Sequence, residues 1–401
     1  MSSIITTAVS DYGTRKILTE AVAQENLYSY SAAMGFSTVD SATTGIYRSP
    51  FTNIGNAVNE SVTNNEYSPV EASTDADILP IDRRAVFSEK IGAFDEINFA
   101  SGSLIKDRAM NGSKVMAQSI DRFVINKAIA DVGSSLGDAG VAGSTTPWAV
   151  TAGNALEIVN RTVEEVNFNE GYGDDKFILV DTSFVKNLTG YFQGTGNNVA
   201  DDTIRTGLPY VGILAGGVKV FQSNNVPHEV TITFGAVATA GDTVTLNGVV
   251  YTYVASIGTA PGNLLVGANA AASQAALLGA LNAPATTTAT YVAVSLNDQN
   301  KIKNLAGTAS SASTVLTFAA KGAFRLTETF TSGSNVVSAV RKRLLAGSMG
   351  AVKIFVPSVG MEYQEKDQIS GFDGIEIHMR QFFNSMTETR KVPLTTSVLV
   401  S

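Results

Sequence analysis

The chain has 401 residues, enough for two or three domains around a sizeable core, and it contains no cysteine, so neither disulfides nor thiolate metal sites hold it together. With 28 basic and 36 acidic residues its formal charge is -8, which argues against tight nucleic-acid binding by the chain as a whole. A membrane span is excluded as well: the uncharged run from Thr243 to Asn297 is rich in Ala, Gly, Ser, Thr and Asn and is broken by Pro261 and Pro284, where a spanning helix needs about 20 strongly apolar residues.

The N-terminus lacks a basic region followed by an apolar core, so no secretory signal is read, and the chain is expected to stay in the compartment where it is made. Residues 1–45 form an arm, with a modest helical pattern at Ile17, Leu18, Ala21, Val22 and Tyr28. Residues 46–94 turn to Asn, Ser, Thr, Pro and Gly, then to alternating runs in ADILPIDRRAVFSEKIGAF, where Ile78, Ile81, Val86, Phe87 and Ile91 punctuate charges; this predicts a long two-stranded projection. The longest regular pattern follows. Apolar side chains at Ile105, Ala109, Met116, Ile120, Val124, Ala128 and Val132, widened by Phe123 and Ile129, predict a helix of roughly 42 Å, capped near Ser101 or Ser103 and stopped by Gly133 and Gly137. Gly112 is its weak point, costing ~1 kcal/mol against Ala.

After a Gly-rich linker, Thr151–Val166 reads as a second amphipathic helix, and KFILVDTSFVKNL as a buried strand followed by a helix opening near Asp181 and Thr182. Residues 189–207 read as a Gly/Asn/Asp loop, and the segment after it returns to strand character. GILAGG, Gly212–Gly217, reads as a strand turn, since it lacks the spacing and the Lys-Ser/Thr ending of a phosphate-binding loop. The composition then changes: residues 229–340 hold eight charged residues in 112, against 56 in the other 289. This marks a domain boundary. Within it DTVTLNGVVYTYVA predicts a hairpin turning at Asn247-Gly248, Ala268–Leu281 a small-residue helix, and YVAVSL, STVLTF and FRLTETF strands. The two ends of this insert are expected to lie close together, because AVKIFVPSVGMEYQE, FDGIEIHMRQFF and KVPLTTSVLV must finish an interrupted domain.

No residue stands out as catalytic, cofactor-binding or metal-ligating. His378 falls on the polar face of an alternating strand, and His228 sits at the domain junction beside Glu229 without a third ligand. The carboxylate pairs Asp174-Asp175, Asp201-Asp202 and Glu164-Glu165 lie in polar loops or on a charged helix face, where solvation is the ordinary state. No cofactor is expected, and an enzyme is a distant reading.

The order of parts from Asp77 to Ile129 resembles the major capsid proteins of tailed bacteriophages, the Hong Kong 97-type fold. A strand with Ile81-Asp82 near its centre returns from the extended loop, Val86-Phe87 stands in the strand that follows, and the spine helix carries the step Ile120-Asp121. FILVDTSFVKNL is similar to the axial-domain strand and helix, and the segment from Gly207 to Pro227 to the hairpin ending in a Ser-Asn-Asn-x-Pro turn, here Ser223 to Pro227. The resemblance covers residues 1–227 and 341–401; the weight lies in the order of the motifs, none of which is chemically specific.

What the resemblance implies is an α+β fold with an N-terminal arm (1–45), an extended β-hairpin loop (46–94), a peripheral domain with the spine helix (95–150 and 341–401), an axial domain (151–228) and a β-rich insertion domain (229–340). It implies a structural protein, not an enzyme, which self-assembles through hexamers and pentamers into the icosahedral virion shell around phage double-stranded DNA without sequence-specific binding. Scaffolding, portal and decoration would be separate proteins, and assembly would take place in the host bacterial cytoplasm. No Lys-Asn isopeptide crosslink is assigned to any residue. The alternatives are a nanocompartment (encapsulin-like) shell protein and an extracellular adhesin or tail structural protein.

Overall fold

The computed structural model of the chain describes residues 37–39, 46–53, 73–92, 104–169, 175–194, 210–214, 217–308, 314–355, 361–369 and 372–401. The expected arm helix, the caps at Ser101 and Ser103 and the pair Asp201-Asp202 lie outside them. In chain order the first elements are β1 (Ser37–Val39), β2 (Ile46–Asn53), β3 (Ser73–Pro80), β4 (Arg83–Gly92) and α1 (Leu104–Ala130). Then come β5 (Ser134–Leu136), α2 (Ala155–Phe168), β6 (Lys176–Val180), α3 (Thr182–Gly194), β7 (Tyr210–Leu214), β8 (Val218–Gln222) and β9 (His228–Phe234). The low-charge region holds β10 (Thr243–Leu246), β11 (Val249–Val254), β12 (Asn263–Leu265), α4 (Ala270–Asn282), α5 (Leu296–Ile302), β13 (Leu305–Thr308), β14 (Val315–Ala320), β15 (Leu326–Glu328) and β16 (Asn335–Val337). The chain ends with β17 (Arg341–Ser348), β18 (Val352–Phe355), β19 (Met361–Ile369), β20 (Phe372–Thr387) and β21 (Thr395–Val400).

These elements divide into two compact units, one drawn from residues up to Asp131 and from Met349 to Val392, the other from Val132 to Ser348 with Pro393 to Ser401. The first is organised by β20, sixteen residues long. Antiparallel partners flank it on both sides: β4 pairs with it from Arg83↔Phe383 to Gly92↔Gly374, β19 pairs along the same stretch, and β18 pairs with its last four residues. Helix α1 packs on this sheet with Met116, Ile120, Val124 and Ala128 of the predicted stripe buried, and with Ile125, which the stripe did not include, buried as well. The helix ends two residues sooner than expected, at Ala130 and not at Val132. Phe123 also departs from expectation. It is half-buried, stacked edge-on against Phe383 at 5.3 Å between ring centroids, with the Arg83 guanidinium 5.4 Å from its centroid.

Gly112 has a reason that the sequence did not show. A Cβ added there would lie 2.4 Å from Met379 Cε and 2.6 Å from the Phe87 ring, so the missing side chain lets α1 approach β4 and β20 closely. Strands β2 and β3 make a separate antiparallel ribbon of eight residue pairs, Ile46↔Pro80 to Asn53↔Ser73. The expected projection ran on to residue 94. Strand β4 instead belongs to the β20 sheet, where Phe87 faces Met379.

In the second unit β17 is central. It pairs with β21 on one side and with β6 and β9 on the other, within a ten-stranded sheet running β13-β14-β9-β17-β6-β8-β7. The sequence reading placed residues 341–401 together in a peripheral group; the pairing divides them, because β17 joins β6 and β21 pairs with β17 and β5, while β18, β19 and β20 pair with one another. Strand β6 pairs in parallel with β8, and its continuous apolar run FILV is buried as a strand covered on both faces must be. Around it Trp148, Ile158, Phe184, Leu188, Leu344 and Val398 form one core cluster.

A different cluster fills the low-charge region, with Phe234, Tyr251, Tyr253, Leu277, Leu316 and Phe318 at its centre. The β10-β11 hairpin turns at Asn247 (φ 51°) and Gly248 (φ 81°), the two positive dihedrals that a type I′ turn demands. Asp242, 1% exposed, accepts hydrogen bonds from Thr239 N (2.8 Å), Thr331 N (2.9 Å) and Thr331 Oγ1 (2.6 Å) and so ties the two loops at that end. YVAVSL is not a strand: Ser295 caps α5, its Oγ accepting from Asp298 N at 3.2 Å and donating to Asp298 Oδ2 at 2.7 Å, so local capping overrides the alternating pattern. The ends of the region meet, Glu229 facing Arg341 across β9 and β17.

The Gly112 contact sets a test. By propensity alone Gly112→Ala would gain about 1 kcal/mol. We expect it to destabilise the protein by about 1–3 kcal/mol through overpacking against Phe87, while exposed Gln118→Ala stays within about 0.5 kcal/mol in urea unfolding.

Candidate assembly site

The side chains that carry chemistry elsewhere are engaged structurally here. His228 is buried, its Nδ1 is 2.8 Å from Val226 O, and burial lowers its pKa, so it stays neutral against the Phe324 ring. His378 is half-buried beside fully buried Met379, the alternation expected of that strand. Of the carboxylate pairs, Asp175 binds Lys219 at 2.9 Å and Glu164 binds Arg161 at 3.0 Å. Gly217, with φ 79°, stands before β8, which pairs antiparallel with β7, as the strand-turn reading expects. Among the described residues no group of three His, Asp or Glu side chains is placed to hold a metal ion, and no helix is long and apolar enough to cross a membrane. A cleft of about 520 Å³ beside α2, lined by Trp148, Leu156, Glu157, Arg161, Glu164 and Tyr191, holds no nucleophile beside a base.

One cluster has the outline of a catalytic triad. Asp181, at the head of α3, accepts from Ser183 N (3.2 Å), Ser183 Oγ (2.7 Å) and Phe184 N (3.2 Å), and Lys342 Nζ donates to its Oδ2 at 2.7 Å and also to Ser183 Oγ. Burial pushes the Asp181 pKa up, but the hydrogen bond and charge of Lys342 and the bonds from Ser183 outweigh it, and the net shift is downward. An ammonium held by a carboxylate cannot take the Ser183 proton. The cluster is therefore a helix cap joined to a buried ion pair. The sequence located the cap but not Lys342, which stands 161 residues away.

Asp121 is a further buried carboxyl, besides Asp181 and Asp242. It is 2% exposed on the inner face of α1, its Oδ2 has no hydrogen-bond partner, and burial raises its pKa from 3.8 to about 8. Its place between Ile120 and Val124 on the apolar stripe was the available signal.

What the first unit offers to a partner is backbone. Strands β2 and β3 pair with no other strand than each other among the described residues. Ile78 on β3 and Val86 on β4 are 59% and 54% exposed, and Val115 on α1 is 48% exposed.

No family model matches the chain, and no curated protein does. Solved structures resemble it. A structure of Mycobacterium phage Che8 is 10% identical and matches 92% of this chain and 87% of its own, with a TM-score of 0.48. The capsid of Ralstonia phage GP4 is 8% identical over 93% of this chain and 88% of that one (TM-score 0.46). A virus-like particle from Pyrococcus furiosus is 6% identical over 95% and 96% (TM-score 0.42).

Two substitutions test the electrostatics. For Asp121 the folded pKa lies above the unfolded one, so the unfolded chain loses its proton first, and stability falls between pH 4 and 8 by up to about 1.4 kcal/mol per unit. Asp121→Asn should abolish that slope, leaving urea midpoints equal to the parent's at pH 4 and higher at pH 7.5. Lys342→Ala should cost about 3 kcal/mol at pH 7, because Asp181 stays buried without its cation; the difference shrinks as pH falls below the ordinary carboxylate range, where Asp181 takes up its proton.

Proposed function

We propose that this chain is a major capsid protein of a tailed bacteriophage, a shell subunit that assembles through hexamers and pentamers around double-stranded DNA. The observation that carries the reading is the β2-β3 ribbon. It has eight residue pairs and no third strand among the described residues. A two-stranded ribbon is marginal by itself in water, and one with no third strand beside it among the described residues is stabilised when a neighbouring subunit covers it. Closed rings and shells supply that cover to every copy. The order of ribbon, long helix and long antiparallel strand is also the order that the sequence resemblance implies.

The chemistry agrees with a structural role. Lys342 and Ser183 are committed to Asp181, the histidines are engaged in the fold, and the reading needs no cofactor. A net charge of -8 gives the packaged nucleic acid no tight hold, as a container requires. In this reading scaffolding, portal and decoration functions belong to separate proteins, assembly takes place in the host cytoplasm, and residues 229–340 are an insertion domain with its own core.

Negative-stain microscopy and sedimentation velocity of the purified chain test the proposal. Rings or closed shells are expected. A monodisperse monomer at high concentration across several salt concentrations would overturn it, and particles holding a captured enzyme without DNA would replace it with the nanocompartment reading.

A further inference from the structure

We propose that Asn384 is the positioning residue of the β2-β3 ribbon, a latch that sets the angle at which the ribbon leaves the β20 sheet. The last residue pair between β4 and β20 is Arg83↔Phe383. The next residue along β20 is Asn384, at the place where Pro80, Ile81 and Asp82 carry the chain out of the sheet into β3. Its side chain is 4% exposed and bridges the gap. Nδ2 donates to Pro80 O at 2.6 Å and to Asp82 Oδ1 at 2.8 Å, while Oδ1 accepts from Ser385 N at 2.8 Å and from Lys127 Nζ at 3.3 Å.

Both donors and the acceptor oxygen are therefore used, and the partners come from three elements. The turn below β3 supplies Pro80 and Asp82, α1 supplies Lys127, and β20 supplies the amide itself. Lys127 is held over the Phe123 ring, 5.9 Å from its centroid, and Phe123 rests edge-on against Phe383. A second tie lies further up the ribbon, where the Asp77 carboxylate accepts from Thr389 N at 3.0 Å and from Thr389 Oγ1. Two ties to the segment 384–389 thus fix one strand of the ribbon at two points, and two fixed points define a direction.

The chemistry requires an amide. Aspartate at 384 would turn acceptors toward the Pro80 carbonyl and the Asp82 carboxylate, and an apolar residue at this buried position would take the amide donor away from both. Breaking the latch frees the ribbon without opening the sheet, because the backbone pairing of Asn384 with Phe355 in β18 does not use its side chain.

The test is hydrogen exchange on the unassembled full chain. In Asn384→Asp the amides of β2 and β3 should exchange about tenfold faster or more, the size of change that losing a pair of hydrogen bonds makes in local opening, while amides of β4, β19 and β20 keep their rates. Adding Asp82→Asn returns a donor opposite the new carboxylate and should restore protection, a rescue that general loss of stability would not give. Asp82→Ala, at an exposed site, should produce a smaller rise in the same amides, and it decides the matter if Asn384→Asp does not fold. Unchanged ribbon exchange in the variants that fold, a rise spread evenly over β4 and β20, or no recovery in the double variant would overturn the latch. The effect on particles rests on the shell reading and is measured separately: if the parent forms shells, Asn384→Asp should form open or irregular ones, and a parent that forms none removes the shell while leaving the exchange result to judge the latch.

Discussion

The pairing of β4 with β20 is the contact on which the first unit depends. It joins residues 83–92 to residues 374–383, so nearly three hundred residues of chain are closed into a loop before the first sheet exists. Closure of that length has a modest entropic cost in itself, because the cost grows only with the logarithm of length, but it is slow. Everything in that unit waits on it. Helix α1 has no floor until β20 arrives, since Met379 and Phe383 supply its contacts, and the ribbon has no root until Asn384 and Thr389 are in place.

The buried polar groups divide by how fully they are partnered. Asp242 and Asn384 have their hydrogen-bonding capacity well used, and both sit where loops or elements must be held in register. Asp181 is similar, with its charge answered by Lys342. Asp121 differs: one oxygen faces no partner in an apolar interface, a cost in stability at neutral pH that packing of α1 must offset.

Legibility in the sequence followed the range of the interaction. Helix α1, the β6-α3 step and the Asn247-Gly248 turn all rest on periodicity or turn chemistry within a few residues, and each is where it was expected, give or take a residue or two at the helix ends, whereas β9, β13, β14 and β16 of the low-charge region pair into the same ten-stranded sheet as β17 and β6, which composition does not show. Helix α5 was misjudged because alternation in YVAVSL is a weaker signal than the Ser295-Asp298 cap that follows it. The division of residues 341–401 between two sheets was not readable, since strand partners are a property of the fold and not of the strand. The same holds for the site. Local alternation placed His378 opposite Met379, whereas Lys342 stands 161 residues from Asp181, and Lys127, Pro80 and Asp82 stand more than 250 from Asn384, and nothing in a single sequence joins them.

Glu229 and Arg341 face each other across adjacent hydrogen-bonded strands. A segment that enters and leaves its host on neighbouring strands asks the host to span no gap, and the length of what lies between changes closure entropy only slowly. Here the strands between those ends, β9, β14 and β13, also extend the sheet that β17 and β6 begin, so a change of length is absorbed in the loops between them and not by removing strands the sheet depends on.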